Sequence, residues 1–189
     1  MKLQKDQENG MVTLEACVSV LFFMIIMFLL WGMFLMYMAQ NATAHALLQT
    51  SQSLALDNYS AQKLEAGTGF PANTSQLTVR LLQRADILPN GTSYFVLNED
   101  LTKSSADIPA IAKKRFIGYL ANGDEDKADT MLKQMKVENG LDGLNFSESE
   151  VDGDNLKIIV TYQLNYAFQI ASWGKTNVRQ ETLARLWTE

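Results

Sequence analysis

Residues Ala16 to Ala39 read ACVSVLFFMIIMFLLWGMFLMYMA, and none of them is charged. As α-helix this run of about 24 residues is about 36 Å long, enough to cross a hydrocarbon core of roughly 30 Å with some tilt. A buried helix of a soluble protein can be as apolar on every side. It needs a large protein around it, however, and only about 150 residues follow. The run therefore reads as a single transmembrane helix. Lys2 and Lys5 precede it and the next basic residue is Lys63, which sets the N-terminus on the cytoplasmic side. Asp6 and Glu8 count for little in that rule, and Trp31 and Tyr37 fall where amphipathic rings suit the outer interface.

Two other uses of an apolar run are disfavoured. Ala42-Thr43-Ala44 and Ala44-His45-Ala46 have the small-x-small pattern of a signal-peptide cleavage site, but signal h-regions run to only about 7–15 residues. In Leu14-Glu15-Ala16-Cys17 the cysteine precedes the run, whereas a lipidated cysteine follows one.

Composition narrows the function. A formal net charge of -5 and no basic stripe argue against nucleic acid as a partner, since phosphate neutralisation needs clustered Lys and Arg. Cys17 is the only cysteine and lies within the run, so the outer part has no internal disulfide and must be held by packing. His45 is the only histidine, which removes Ser-His-Asp, Cys-His and multi-histidine metal arrangements. Asp124-Glu125-Asp126 and Asp152-Gly153-Asp154 do not continue as a twelve-residue calcium loop and read as a helix start and a hairpin turn. Asn41, Asn73, Asn90 and Asn145 each open an Asn-x-Ser/Thr triplet, which is read as chance. No phosphate loop or nucleophile elbow is present. The expectation is a protein that is not an enzyme and uses no cofactor or metal.

The most informative stretch is Asn9-Gly10-Met11-Val12-Thr13-Leu14-Glu15-Ala16. A carboxylate at the bilayer centre costs roughly 3 kcal/mol on insertion scales, so Glu15 at the mouth of the apolar run needs a reason. One reason is position, in the first turn of a helix near the headgroups, facing the positive end of the helix dipole. A sharper one is that Gly10-Met11 is a cleavage site, with Gly10 presenting bare backbone to a peptidase. The new Met11 amine would then pair with Glu15 of a neighbouring helix. This pattern resembles the class III signal of type IV pilins and pseudopilins, and Thr13-Leu14-Glu15-Ala16 is most similar to TadE-like minor pseudopilins of Tad (Flp-type) pilus systems. The resemblance covers about 30 residues. It implies that Gly10 precedes the cut, that Met11 is the mature N-terminus and that Glu15 is the assembly glutamate. It also implies a prepilin peptidase, other pilin-like subunits and a pilus assembly platform as partners, besides the lipid bilayer. The chain then divides into a cytoplasmic leader (1–10), a transmembrane helix (11–39) and an extracytoplasmic pilin-like domain (40–189). An ordinary N-in anchor presenting a binding module is the alternative.

Beyond Ala39 the sequence is free of Gly and Pro up to Gly67, so the helix should continue out of the membrane, stopping at Gly67, Gly69 and Pro71. Asp57-Asn58 is a possible break, and Ala42, Ala46 and Leu54 mark the side that needs a partner. Helices are expected around Ser75–Ala85, Pro109–Leu120 and Asp124–Lys136, a turn at Pro89-Asn90-Gly91, and strands at Tyr94–Leu97 and Leu144–Glu150. From Leu156 to Ile170 apolar and polar residues alternate, the mark of a long half-buried strand whose apolar face should cover the extended first helix. A turn at Trp173-Gly174-Lys175 and a last strand over Asn177–Trp187 complete an α+β fold with about three to four antiparallel strands.

Overall fold

The computed structural model describes residues 2–68, 94–95, 101–102, 106–165 and 174–186. A single helix, α1, runs unbroken over Lys2–Thr68, 67 residues and about 100 Å. It is followed by α2 (Ile108–Ala121), α3 (Glu125–Gln134), a 3₁₀ turn at Gly140–Gly143, and strands β1 (Glu150–Asp152), β2 (Asn155–Asn165) and β3 (Lys175–Arg185). The strands form an antiparallel sheet in the order β1-β2-β3. The chain is thus α+β, a long apolar N-terminal helix with a C-terminal three-stranded antiparallel sheet.

The helix does not break at Asp57-Asn58 because both side chains are taken up by distant residues. Asp57 pairs with Arg115 at 2.6 Å, and Asn58 Oδ1 accepts the Leu101 N–H at 3.0 Å. Neither is free to turn back on its own backbone, the habit that makes Asn and Asp helix breakers. The helix ends at Thr68, one residue past Gly67, while Gly69 and Pro71 lie outside the described residues.

Helix α2 begins with Asp107 accepting the Ala110 N–H, has proline in its first turn, and closes on Asn122 in the left-handed conformation. Helix α3 begins with Asp124 accepting the Lys127 N–H, so the acidic patch there caps a helix. Asp129 of α3 binds Lys133 and accepts the Leu141 N–H, and these bonds hold its carboxyl below the usual value. Gly140 follows at φ +58°, where a Cβ would lie 2.1 Å from Asp129 Oδ1, so the turn needs glycine twice over.

Alternation along β2 appears as expected except at Ile159, which is buried on the other face. Leu156, Ile158, Val160, Tyr162 and Leu164 are buried, while Gln163 is exposed. Their face packs on α1 from Ala39 to Leu54, with Ala46 and Leu54 in the core and Ala42 packed against it. Phe116 of α2 closes the core edge-on to Phe146, 5.4 Å between centroids. Residues 166–173, the expected continuation of the long strand and its turn, lie outside the described residues. So do the expected helix at 75–85 and the turn at Pro89-Asn90-Gly91.

Two expected strands are corrected. Tyr94 and Phe95 sit in a 3₁₀ turn, and 96–97 lie outside the described residues. Consecutive strand residues point to opposite faces, yet both rings serve α2 and its neighbour α3. Tyr94 OH donates to Glu125 at 2.8 Å, Phe95 packs edge-on to Tyr119, and both crowd Gly118, where a Cβ would meet each at 3.1 Å.

The edge strand expected at Leu144–Glu150 is also displaced, to Glu150–Asp152, with only an isolated bridge from Asn145 to Thr161. In between, Ser149 Oγ accepts the Ile159 N–H at 3.0 Å and donates to its carbonyl at 3.1 Å, so a side chain replaces a residue of the ladder. The edge chain carries one residue more than the strand opposite it, a bulge that interrupts pairing.

Tyr162→Asp is expected to destabilise the folded part of the full chain in detergent by about 2–4 kcal/mol more than Gln163→Asp, because only the first buries an unpaired charge. Urea unfolding followed by near-UV circular dichroism measures the gap; equal losses would contradict the two-faced strand.

Candidate functional site

The residues singled out by sequence lie at the start of α1. Gly10 and Met11 are in helical backbone, continuous with the rest of the element, and Glu15 is exposed. A peptidase acts on extended backbone, so a cut at Gly10-Met11 requires the first turns to open.

From Val12 to Met38 the side chains of α1 are almost all exposed, Phe22 at 61 %, Leu29 at 54 % and Phe34 at 53 % among them. The exposed residues fall on every side of the helix, so no stripe distinguishes an inner face. This is the one helix among the described residues long and apolar enough to cross a membrane. Cys17 lies exposed within it.

At Ala39, which is fully buried, the surroundings change. From there α1 is joined to the sheet by polar contacts set in an apolar core. Thr43 Oγ1 donates to the Ala39 carbonyl and lies 2.8 Å from Tyr162 OH, so the phenol donates to it. Ser51 meets Thr182 at 3.1 Å, and Gln180 Nε2 donates to the Gln40 carbonyl at 2.9 Å. Higher up, buried Arg115 binds Ser53 and Asp57 and stands over the Phe95 ring. Burial pushes the Tyr162 phenol above its ordinary value of 10.0. Composition and spacing announced none of these pairs, because their members are up to 140 residues apart in the chain.

The opposite face of the sheet carries an open groove of about 630 Å³ between β2, β3 and the 138–145 segment. Its floor is Thr161, Gln163, Asn177 and Arg179, and its wall includes Glu138 and Asn145. Gly143 lets the wall fold tightly, since a Cβ there would meet the Glu138 carbonyl at 1.8 Å. The charges are matched in place: Lys175 binds Glu138, and Arg179 binds Glu148 and Glu181 at 3.2 and 2.9 Å. Among the described residues no three His, Cys, Asp or Glu side chains are placed to hold a metal ion.

The chain was compared with protein-family models, curated proteins and solved structures, and nothing matches it in any of the three.

Two outcomes are expected at the seam. Asp57→Ala should cost about 2 kcal/mol, because it leaves the buried guanidinium of Arg115 with Ser53 alone; thermal unfolding measures it. A raised phenol pKa means that stability is complete below the unfolded value and falls as pH rises through about 10 toward the folded value. Tyr162→Phe should therefore cost about 1 kcal/mol at neutral pH and flatten the alkaline loss. An unchanged alkaline profile in this variant would assign that loss to other groups.

Proposed function

We propose that this chain is a membrane-anchored, pseudopilin-like structural subunit of a bacterial Tad-type pilus or secretion assembly. It sits in the cell membrane with its N-terminus in the cytoplasm and its sheet domain outside. A prepilin peptidase removes residues 1–10, and Glu15 then neutralises the Met11 amine of a neighbouring pilin-like subunit as the helices gather at the assembly platform. The observation that carries this reading is α1 itself: one unbroken helix, naked and apolar on all sides below Ala39 and seated against an antiparallel sheet above it. A lone anchor needs only the lower half. A subunit that must transmit its position in a helix array to a domain outside gains from having no hinge between the two. The Gly10-Met11 and Glu15 spacing adds the second line of support.

The matched charges and amide-rich floor of the groove favour a second reading, an N-in anchor that presents a binding module. The readings part at the N-terminus. Protein recovered from its native membrane is expected to begin at Met11 by intact mass and N-terminal sequencing, and Gly10→Val to leave a precursor longer by ten residues. Glu15→Leu should insert as well as the wild type or better, yet fail to co-purify with pilin-like partners. A wild-type protein that keeps residues 1–10 would exclude the pseudopilin reading and leave the anchor; a start near His45 or Leu47 would mean a cleaved signal peptide.

A further inference from the structure

We infer that the lower rim of the sheet domain, where Lys136 borders the Asn165–Lys175 pair, rests on the phosphate headgroups of the bilayer; the inference takes the proposed membrane span of α1 as its premise. The direction of the sheet along α1 establishes which end is lower. Thr43 meets Tyr162, and Ser51, about two turns further from the apolar run, meets Thr182. Tyr162 stands opposite Val178 and Thr182 opposite Ile158, so the sheet rows climb with the helix. Asn165–Lys175 is on the other side of Tyr162, three rows nearer the apolar run. At about 3.4 Å per row it lies about 10 Å below the Thr43 contact, or about seven residues of helix, level with Met36. Met36 is packed against the core, as this level requires.

A second ruler starts from the other end. A hydrocarbon core of about 30 Å takes up about 20 residues of upright helix. Counted from Glu15, the charge that must stay at the inner boundary, it ends at Leu35. The exposed rings of Trp31, Phe34 and Tyr37 bracket that level, as interfacial aromatics do. Both rulers bring the lowest described row of the sheet to the headgroup layer. Because α1 is continuous, the domain cannot rise from the surface on a tether.

The rim has the chemistry for phosphate. Lys136 is exposed and held at φ +67°, its carbonyl accepting the Asn165 N–H at 2.8 Å and its own N–H donating to Lys133 at 3.0 Å. Among the described residues its ammonium has no ion-pair partner, whereas Lys133 and Lys175 are paired with Asp129 and Glu138. In a chain of net charge -5, a cation at this end with no ion-pair partner among the described residues is what an anionic surface attracts.

The test uses the full chain with Cys17→Ser, reconstituted in vesicles of phosphatidylcholine and phosphatidylglycerol. A fluorophore is placed on a single cysteine at Gln134, Ile25 or Arg185, and quenching is compared between lipids labelled at the headgroup and at mid-chain. Gln134, exposed beside the rim, should be quenched by the headgroup label at least about twofold more than Arg185 at the far end of the sheet, and Lys136→Glu should reduce that quenching by about twofold or more. Ile25 should be quenched by the mid-chain label. Quenching at Gln134 no greater than at Arg185, with Ile25 still quenched, would overturn the seat and leave the span standing; an unquenched Ile25 would overturn the span and the seat with it. Full quenching at Gln134 that ignores Lys136→Glu would overturn the role of phosphate.

Discussion

The contact between α1 above Ala39 and the inward face of β2 and β3 is what the rest of the structure depends on. Leu156, Ile158, Val160 and Leu164 share one buried core with Ala46, Leu47 and Leu54 of α1 and Phe116 of α2, and α1 above the naked run packs on α2 as well as on the two strands. The helix meets the sheet through small residues, Thr43, Ala46, Thr50 and Ser51, which let the backbones approach closely. Their hydroxyls would be costly if left bare in a core. Thr43 and Thr50 instead return theirs to carbonyls four residues back, and Ser51 to one three residues back. Oxygen lone pairs remain for Tyr162 and Thr182, so polar contacts fix the register of helix on sheet while apolar burial supplies most of the stability.

One helix therefore carries two kinds of surface. Below Ala39 it exposes apolar side chains in every direction, an area that water cannot accommodate in a stable soluble monomer. Above Ala39 it is the central element of a folded domain. Arg115 extends this domain to the upper end of the helix by tying α2 to Ser53 and Asp57, and Asn58 brings in the chain at Leu101. The consequence is mechanical: tilt, rotation or displacement of the lower half is delivered to the domain without loss at a hinge. An array-forming subunit and a domain held against a bilayer both use that property.

The two faces of the sheet are built differently for the same reason. The face toward α1 is apolar and closed. The other is a lattice of amides and matched charges over the single buried side chain of Ile159, bordered by an edge that Ser149 interrupts with its own hydroxyl. The bulge blunts an edge that could otherwise pair with another chain.

Several features were legible in the sequence because each is decided by residues close together in the chain. The uncharged run of Ala16 to Ala39, the alternation of β2, proline and Asn122-Gly123 bounding α2, and the acidic cap of α3 all report local preference or periodicity. Gly10, Met11 and Glu15 are likewise a short local pattern, and the structure places them in the helical backbone at the start of α1. What only the tertiary structure decided are the places where a distant partner overrides local preference. Asp57 and Asn58 stay helical because Arg115 and Leu101 occupy their side chains; Tyr94 and Phe95 turn because two helices need both rings on one side. The edge strand shifts because a serine hydroxyl takes a backbone role, and Met36, as apolar as its neighbours in the naked run, packs against the domain core. Local sequence encodes the free energy of a segment against water or lipid, but a hydrogen bond or ion pair across some 40 to 140 residues depends on where the fold brings its second half.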